Sequence, residues 1–469
     1  MTNNHEENIN KKAIKAGIWF TICNFATRGI SFITAPLFAR MLTKEDYGNF
    51  ANYSSWASLL TILATLDLYS SINNAKIDFK NDLNSYISSI LVCGSVFTAI
   101  CYIIIILFQN FFTQLFGLDA IYIHTIFITL IFAPALGIFQ AKNNVELEYK
   151  KVVVITAIST VVAAILGLLF VYYMNDKYCG RVLGSFSHAM IIYLPIYAYI
   201  LYKNHDIKMS YIKYALAISI PIIPHLLAGN ILNSSDRLMI KHFCGAEPTA
   251  LYSLIYTCST AFTILMRSFN NAWVPWFFEK LKKEEYEEIN KAHVPYVLLL
   301  ALGSILIMLL GPEVVLFFGG EKYYQSIEII PPIILGCFLM GAYTLYVNVE
   351  FYEKKTILIS IMTIISAIFN FTTNYIFIPQ YGYVAAAYTT LASYCLLFIL
   401  HYMACRQFKP QRYFSARKVF TIVFAMFPIS YLSLISYENT LGRYLAVLTV
   451  LAIASWQLFT YRNYIKKNK

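Results

Sequence analysis

Fourteen apolar stretches, each long enough to cross a bilayer, follow one another along this chain with loops mostly shorter than fifteen residues between them. A helical span needs roughly 20 residues. In hydrocarbon every backbone N–H and C=O must pair within the protein, so such a chain can fold only as a bundle of helices. The expected spans run approximately 13–41, 48–72, 85–109, 119–141, 150–174, 180–202, 212–241, 248–276, 292–318, 326–351, 354–379, 381–405, 415–436 and 440–461. Composition agrees: the 469 residues are 58% hydrophobic and only 13% charged, with 37 Tyr and 35 Phe. The fold class is therefore an all-α integral membrane protein of about 14 transmembrane helices. Lys11, Lys12 and Lys15 precede the first span as in a signal peptide. The apolar run is too long for one and lacks a small-x-small cleavage site, so it is expected to stay in the membrane. The nine cysteines are scattered singly, without a CxxC pair or a Cys/His cluster, and read as small apolar residues. No metal or cofactor is expected.

The net charge of +11 invites a nucleic-acid reading, which the placement of the charges excludes. Sorting the loops alternately puts 26 of the 36 Lys and Arg on one side, among them Lys76, Lys80, Lys142, Lys150, Lys151, Lys203, Lys208 and Lys213. By the positive-inside rule both termini are cytoplasmic and the number of spans is even. The most charged segment, EKLKKEEYEEINK from Glu279 to Lys291, has mixed signs at helical spacing and reads as an exposed amphipathic helix on the membrane surface.

Matching landmarks recur at an offset of 202 to 204 residues. Phe116-Gly117 matches Phe318-Gly319, ELEYKK from Glu146 matches EFYEKK from Glu350, YCGRVLG from Tyr178 aligns with YGYVAAA from Tyr381, and LTKEDYGNFANY from Leu42 aligns with GAEPTALYSLIY from Gly245. Their common register argues for two six-helix halves. The domains expected are an N-lobe at 1–211, a C-lobe at 212–412, and two further helices with a cytoplasmic tail at 413–469. Six is even, so the repeats are parallel, an arrangement that places a cavity between halves and suits alternating access.

The spans carry polar stripes. Thr21, Asn24, Arg28 and Ser31 share one face of the first, and Ser54, Ser58, Thr61 and Thr65 one face of the second, with Asp67 near its cytoplasmic end. The seventh carries Asn230, Asn233 and Arg237 beside Asp236, with His225 earlier. The eighth carries Tyr252, Tyr256, Ser259, Thr263, Arg267 and Asn270. An arginine near mid-bilayer costs roughly 2.5 to 3.5 kcal/mol on insertion scales and faces a bundle interior or a watery cavity. Two readings stand side by side. In one, Arg28 pairs with a carboxylate such as Asp67 and holds helices together, while Asp236 and Arg237 are caps near the outer face. In the other, the guanidiniums bind an anion; their planar fork suits phosphate and they stay charged when desolvated. A pyrophosphate carrying a sugar would account for both the cations and the hydroxyl-rich stripes. Pro36, Pro134, Pro221, Pro224 and Pro275 read as fixed kinks, with hinges for a rocking motion as the alternative. His124, His188 and His401 read as isolated packed or interfacial residues.

PLFARMLTKEDYGNF at Pro36 to Phe50, SSDRLMIKHFCGAEPTALYSLIY at Ser234 to Tyr256, NAWVPWFFEKL at Asn271 to Leu281, FFGGEKY at Phe317 to Tyr323 and FYEKKT at Phe351 to Thr356 together resemble bacterial oligosaccharide flippases. These are the Wzx-type branch of the multidrug/oligosaccharidyl-lipid/polysaccharide exporter superfamily. The resemblance implies a V-shaped, two-lobed bundle that moves a polyprenyl-pyrophosphate-linked oligosaccharide from the cytoplasmic to the outer leaflet of the inner membrane, for O-antigen, capsule or a similar polymer. It implies a polysaccharide polymerase and glycosyltransferases as partners, and it implicates arginines of the first and eighth helices, here Arg28 and Arg267, in holding the pyrophosphate. The acidic residue that follows the first-helix arginine in related peptidoglycan-precursor flippases is absent, because position 29 is Gly. That leaves Asp67 and Asp236 for ion coupling or structural pairing. The absence of GxxxxGK[ST] excludes ATP hydrolysis of the usual ABC kind. A drug or cation antiporter of the same superfamily is the nearest competing function. A membrane glycosyltransferase or polysaccharide polymerase would carry acidic catalytic residues and a large outer loop, and the outer loops here are short.

Overall fold

The computed structural model describes residues 32–204, 206–409 and 413–467, with scattered positions from 19 to 30. Every regular element among them is helical. Among the described residues ten helices are long and apolar enough to cross a membrane. The chain divides into two compact units, residues 1–234 and 235–469.

The first unit begins with α1 (Phe32–Met41) and α2 (Lys44–Thr65). Thr43 caps α2 reciprocally: its hydroxyl accepts from the Asp46 N–H at 3.0 Å while the Asp46 carboxylate accepts from the Thr43 N–H at 3.3 Å. Leu66 and Asp67, both at positive φ, end the helix. The chain continues through α3 (Ile72–Asp78), α4 (Leu83–Leu107), α5 (Gln109–Phe116), α6 (Ala120–Phe132), α7 (Pro134–Val145), α8 (Tyr149–Tyr173), α9 (Lys177–Lys203), α10 (Met209–Ser219) and α11 (Ile223–Cys244), which runs into the second unit. Pro134 opens α7 and so divides one continuous apolar span from α6. The core gathers Ile72, Tyr86, Ile90 and Ile138 at one place and Tyr53, Phe116, Ile126, Phe127 and Val182 at another. Ile100, Ile103, Ile104 and Leu107 of α4 lie exposed, as an apolar face does when lipid is its solvent.

The second unit comprises α12 (Ala246–Lys282), α13 (Tyr286–Leu309), α14 (Gly311–Phe318), α15 (Ile330–Ala342), α16 (Thr344–Tyr352), α17 (Thr356–Cys405), α18 (Ala416–Ile435) and α19 (Thr440–Lys467). The almost fully buried α15 is its hub. Helix α17 is two arms broken at Gly382, whose φ of 67° favours glycine. Arg443 fastens α19 to α14 through a paired contact with Glu313 at 2.6 and 3.0 Å.

The order of elements recurs. The eight-residue α5 and α14 are 202 residues apart, and the thirteen-residue α6 and α15 are each followed by a break and a shorter helix.

The segment Glu279–Lys291 is not a separate surface helix. It is the end of α12, a turn at Glu284 with φ 58°, and the start of α13. Its opposite charges hold that turn: Lys280 pairs with Glu285 and Glu288, and Lys283 with Glu279.

Helices α8 and α9 approach where Gly167 faces Gly184; a Cβ on Gly184 would lie 2.7 Å from the Gly167 Cα. Gly184→Leu is expected to separate the two helices and destabilise the unit by about 1–3 kcal/mol or more, as overpacking does. Thermal unfolding in detergent would show this as a lowered midpoint, while Gly229→Leu, where a Cβ meets open space, leaves it unchanged.

Candidate functional site

The first unit has an open cavity of about 620 Å3 among α2, α6, α7 and α9. The helical spacing of Ser54, Ser58 and Thr61 brings all three to its wall, opposite Thr129, Gln140 and Asn144, while Tyr53, Tyr69 and Tyr193 supply aromatic rings. Among the described residues no charged side chain lines it.

The polar groups of the wall are held in place from behind. Thr61 donates to the Ala57 carbonyl at 2.6 Å and Ser54 to Ala51 at 3.1 Å, which leaves hydroxyl lone pairs available as acceptors. Asn230 of α11 donates to the Ser58 hydroxyl at 2.8 Å, and Gln140 to Thr156 at 3.0 Å. The buried Thr129 hydroxyl has no protein partner, a position that a buried polar group keeps only where water or a ligand satisfies it. Hydroxyls and amides together with flat aromatic faces suit a molecule rich in hydroxyls with apolar C–H faces; they provide no counter-ion.

Thr65 and Asp67 do not reach this lining. Thr65 donates back to Thr61 at 2.7 Å. Asp67 is buried at the corner that ends α2, where its carboxylate accepts from the Ser70 hydroxyl and its carbonyl from Ser219 at 3.3 Å. Two successive left-handed residues cost of order 1–3 kcal/mol each, offset by what they fix: a buried corner that points Tyr69 at α7. Gly137 accommodates the ring, since a Cβ there would be 3.0 Å from it.

The second unit holds a buried polar network centred on Asp236, which is 1% exposed. The Asp236 Oδ1 accepts from the Asn374 amide at 2.6 Å, and its Oδ2 accepts from Thr390 at 2.7 Å and from the Tyr252 hydroxyl. Behind these, Asn370 donates to Thr390 at 3.2 Å and accepts from Asn374 at 3.2 Å, and Thr389 donates to Asn374. One carboxylate thus joins α11, α12 and both arms of α17. Asp236 is therefore the centre of a polar core, the structural pairing that its place beside Arg237 allowed. A buried carboxylate is stable there because three donors converge on it.

The remaining candidates distribute as follows. Arg237 sits 5.2 Å from the Tyr256 ring. Asn233 is exposed and donates to the Gly229 carbonyl at 2.6 Å. Thr263 donates to Thr260 at 2.8 Å, Arg267 is exposed within electrostatic reach of Tyr343, and Asn270 accepts from Asn348 at 2.9 Å. Arg28, Asn24 and Ser31 lie outside the described residues.

The histidines are not isolated. His124 meets the Tyr102 hydroxyl at 3.0 Å, and His188 the Ser159 hydroxyl at 2.8 Å. His401 lies 2.8 Å from Glu350, both completely buried. Glu350 served in the sequence only as a loop landmark. Asn370 and Asn374, one turn apart, and Thr389-Thr390 beyond the Gly382 break were polar signals within apolar spans that sequence patterning passed over. Among the described residues no group of three or more His, Cys, Asp or Glu is placed to hold a metal ion.

Asp236→Ala strands three buried donors, each costing about 1–3 kcal/mol, and is expected to lower the unfolding midpoint sharply. Asp236→Asn should leave it near wild type, because its amide oxygen can accept from Asn374 while its NH2 faces two hydroxyls that can accept. Equal midpoints for the two variants in a detergent melt would contradict the network's structural role.

Residues 13–281 match the family described as polysaccharide biosynthesis protein. Of curated proteins, the Lsg locus putative protein 1 of Haemophilus influenzae is 23% identical over 76% of this chain and 89% of its own length. An uncharacterized membrane protein of Methanocaldococcus jannaschii is 21% identical over 90% of each chain. Among solved structures, the lipid II flippase MurJ in an inward closed conformation superposes with a TM-score of 0.74 at 15% identity, covering 96% of this chain and all of that one. An inward-facing multidrug resistance transporter of the MATE family gives 0.61 at 13% identity over 84% of this chain and 98% of its own. These likenesses establish the fold, and the match over more than half the sequence shows that the chain belongs to the polysaccharide biosynthesis protein family.

Proposed function

We propose that this protein is a flippase, a transporter and not an enzyme, that moves a polyprenyl-pyrophosphate-linked oligosaccharide across the cytoplasmic membrane by alternating access. The observation that carries the proposal is the cavity of the first unit, whose described lining sets six hydroxyl- and amide-bearing side chains and three tyrosines beside aliphatic ones and includes no charged residue. A sugar's hydroxyls can exchange hydrogen bonds with Ser54, Ser58, Thr61, Thr129, Gln140 and Asn144, and its C–H faces can lie on tyrosine rings. A hydrophobic drug would match the aliphatic part of the lining, Ile126, Leu130 and Leu136, but would leave its hydroxyls and amides unpaired. Membership in a polysaccharide biosynthesis family supports a glycan as cargo.

In this reading the pyrophosphate is held by arginines: Arg28, with Asn24 and Ser31 on its face, and Arg237 and Arg267, with Asn233, Thr263 and Asn270 nearby in sequence. The polyprenol remains in lipid. The lysine-rich loops face the cytoplasm, as do both termini, and the glycan is passed on to a polymerase after its assembly by glycosyltransferases. The six-helix repeat, 1–211 and 212–412 with 413–469 appended, supplies the two lobes of the transport cycle. The drive is an ion gradient or the consumption of the product, and Asp67 and Asp236 serve structural pairing.

The test is the appearance of a labelled polyprenyl-pyrophosphate oligosaccharide in the opposite leaflet of vesicles holding the purified protein. Arg28→Ala is expected to abolish movement at unchanged protein level, Arg28→Lys to restore it partly, and Thr129→Val to slow it roughly tenfold, the scale of one lost hydrogen bond to a buried group. Full movement with Arg28→Ala would overturn the anion-binding role; movement of a cationic drug without movement of the glycolipid would favour an antiporter.

A further inference from the structure

A second cavity in the first unit is chemically unlike the one described above. It measures about 380 Å3 and lies among the ends of α4, α7, α8 and α9. Buried Ile87, Ile138, Ile196 and Ile200 line its depth, whereas Lys142, Lys151 and Lys203 stand around it with Glu146 as the single carboxylate of the lining. That carboxylate is shared with Lys76 of α3, 3.9 Å away. The Lys142 ammonium is fixed in place by donating to Asn84 at 2.6 Å. Lys151 and Lys203 are exposed, and Lys151 lies 3.8 Å from Glu148 just outside the lining, so that with Lys76 the cations still outnumber the two carboxylates four to two. The cavity therefore presents a surplus of positive charge above an apolar floor, at the level where the helices leave the hydrocarbon and where the half-exposed Tyr199 completes the wall.

The combination selects its occupant. A soluble anion gains nothing from the isoleucine floor, and an apolar molecule gains nothing from three ammonium groups. A phosphate attached to an acyl chain uses both: lysines near a membrane surface attract anionic head groups by roughly 1 kcal/mol each, and the chain buries apolar area. Lysine serves here as a point charge, tolerant of the variable geometry of a phosphodiester.

We propose that this cavity is a binding site for the phosphate head group of an anionic membrane glycerophospholipid, with its acyl chain against Ile138, Ile196 and Ile200. The site ties together the ends of four helices of one unit and is independent of what the protein transports.

The experiment uses the full-length protein reconstituted into vesicles of phosphatidylglycerol mixed with phosphatidylcholine, then extracted in mild detergent, with retained phospholipid read by native mass spectrometry. Wild type is expected to retain phosphatidylglycerol in preference to phosphatidylcholine. The triple variant Lys142→Gln, Lys151→Gln, Lys203→Gln should lower that retention about tenfold or more, and Lys150→Gln, exposed and outside the lining, should not. Lys151→Glu with Lys203→Glu changes only exposed side chains, so its fold is not at issue, and it should also lose the preference. Retention of phosphatidylcholine equal to phosphatidylglycerol, or undiminished retention in both variants, would overturn the proposal. Displacement by millimolar inorganic phosphate would overturn the lipid assignment in favour of a soluble anion.

Discussion

Hydrocarbon offers no hydrogen bonds, and that constraint shapes both units of this protein. It forces the backbone into helices, and it decides the fate of every polar side chain on them. A polar group within a span must find a protein partner, meet water or a ligand, or be absent. The two units answer in different ways. Around Asp236 each donor is aimed at an acceptor, so Tyr252, Asn374 and Thr390 enclose a saturated core that rigidifies three helices. Around the cavity of the first unit, Ser58 and Gln140 are anchored from behind but face open space, and the Thr129 hydroxyl has no protein partner. The first arrangement is built to hold; the second is built to receive.

Interruptions of the helices place these groups. The left-handed pair Leu66 and Asp67 stops α2 and turns Tyr69 toward the cavity, Pro134 divides α6 from α7 so that Thr129 and Gln140 reach the same wall, and Gly382 folds α17 so that Asn374 and Thr390 meet one carboxylate. A straight helix would bring fewer of them together.

The apolar runs made the membrane class and the order of helices legible directly, because a run of some 20 apolar residues has few other outcomes. The stripe of Ser54, Ser58 and Thr61 was legible as a face and proves to line a cavity. Its opposite wall was not, since Thr129, Gln140 and Tyr193 come from other helices and nothing in sequence spacing measures distance between helices. Asp236 was visible as a carboxylate within a span, but its partners were not, since Asn374 and Thr390 lie more than 130 residues away. Glu279–Lys291 misled for a related reason: mixed charges at helical spacing describe a surface helix and the exposed ends of two spans equally well. The pairing of His401 with Glu350 was hidden because each looked ordinary alone.

Whether the cavity of the first unit takes the glycan is tested most simply by a photocrosslink from a sugar of a labelled polyprenyl-pyrophosphate oligosaccharide, mapped by peptide mass spectrometry. Adducts are expected on Tyr69, Gln140 or Tyr193, suppressed by excess unlabelled glycolipid and more weakly by polyprenyl pyrophosphate lacking the sugar, which occupies the arginines alone. Adducts confined to other helices, or equal competition by the sugar-free lipid, would contradict that placement of the glycan.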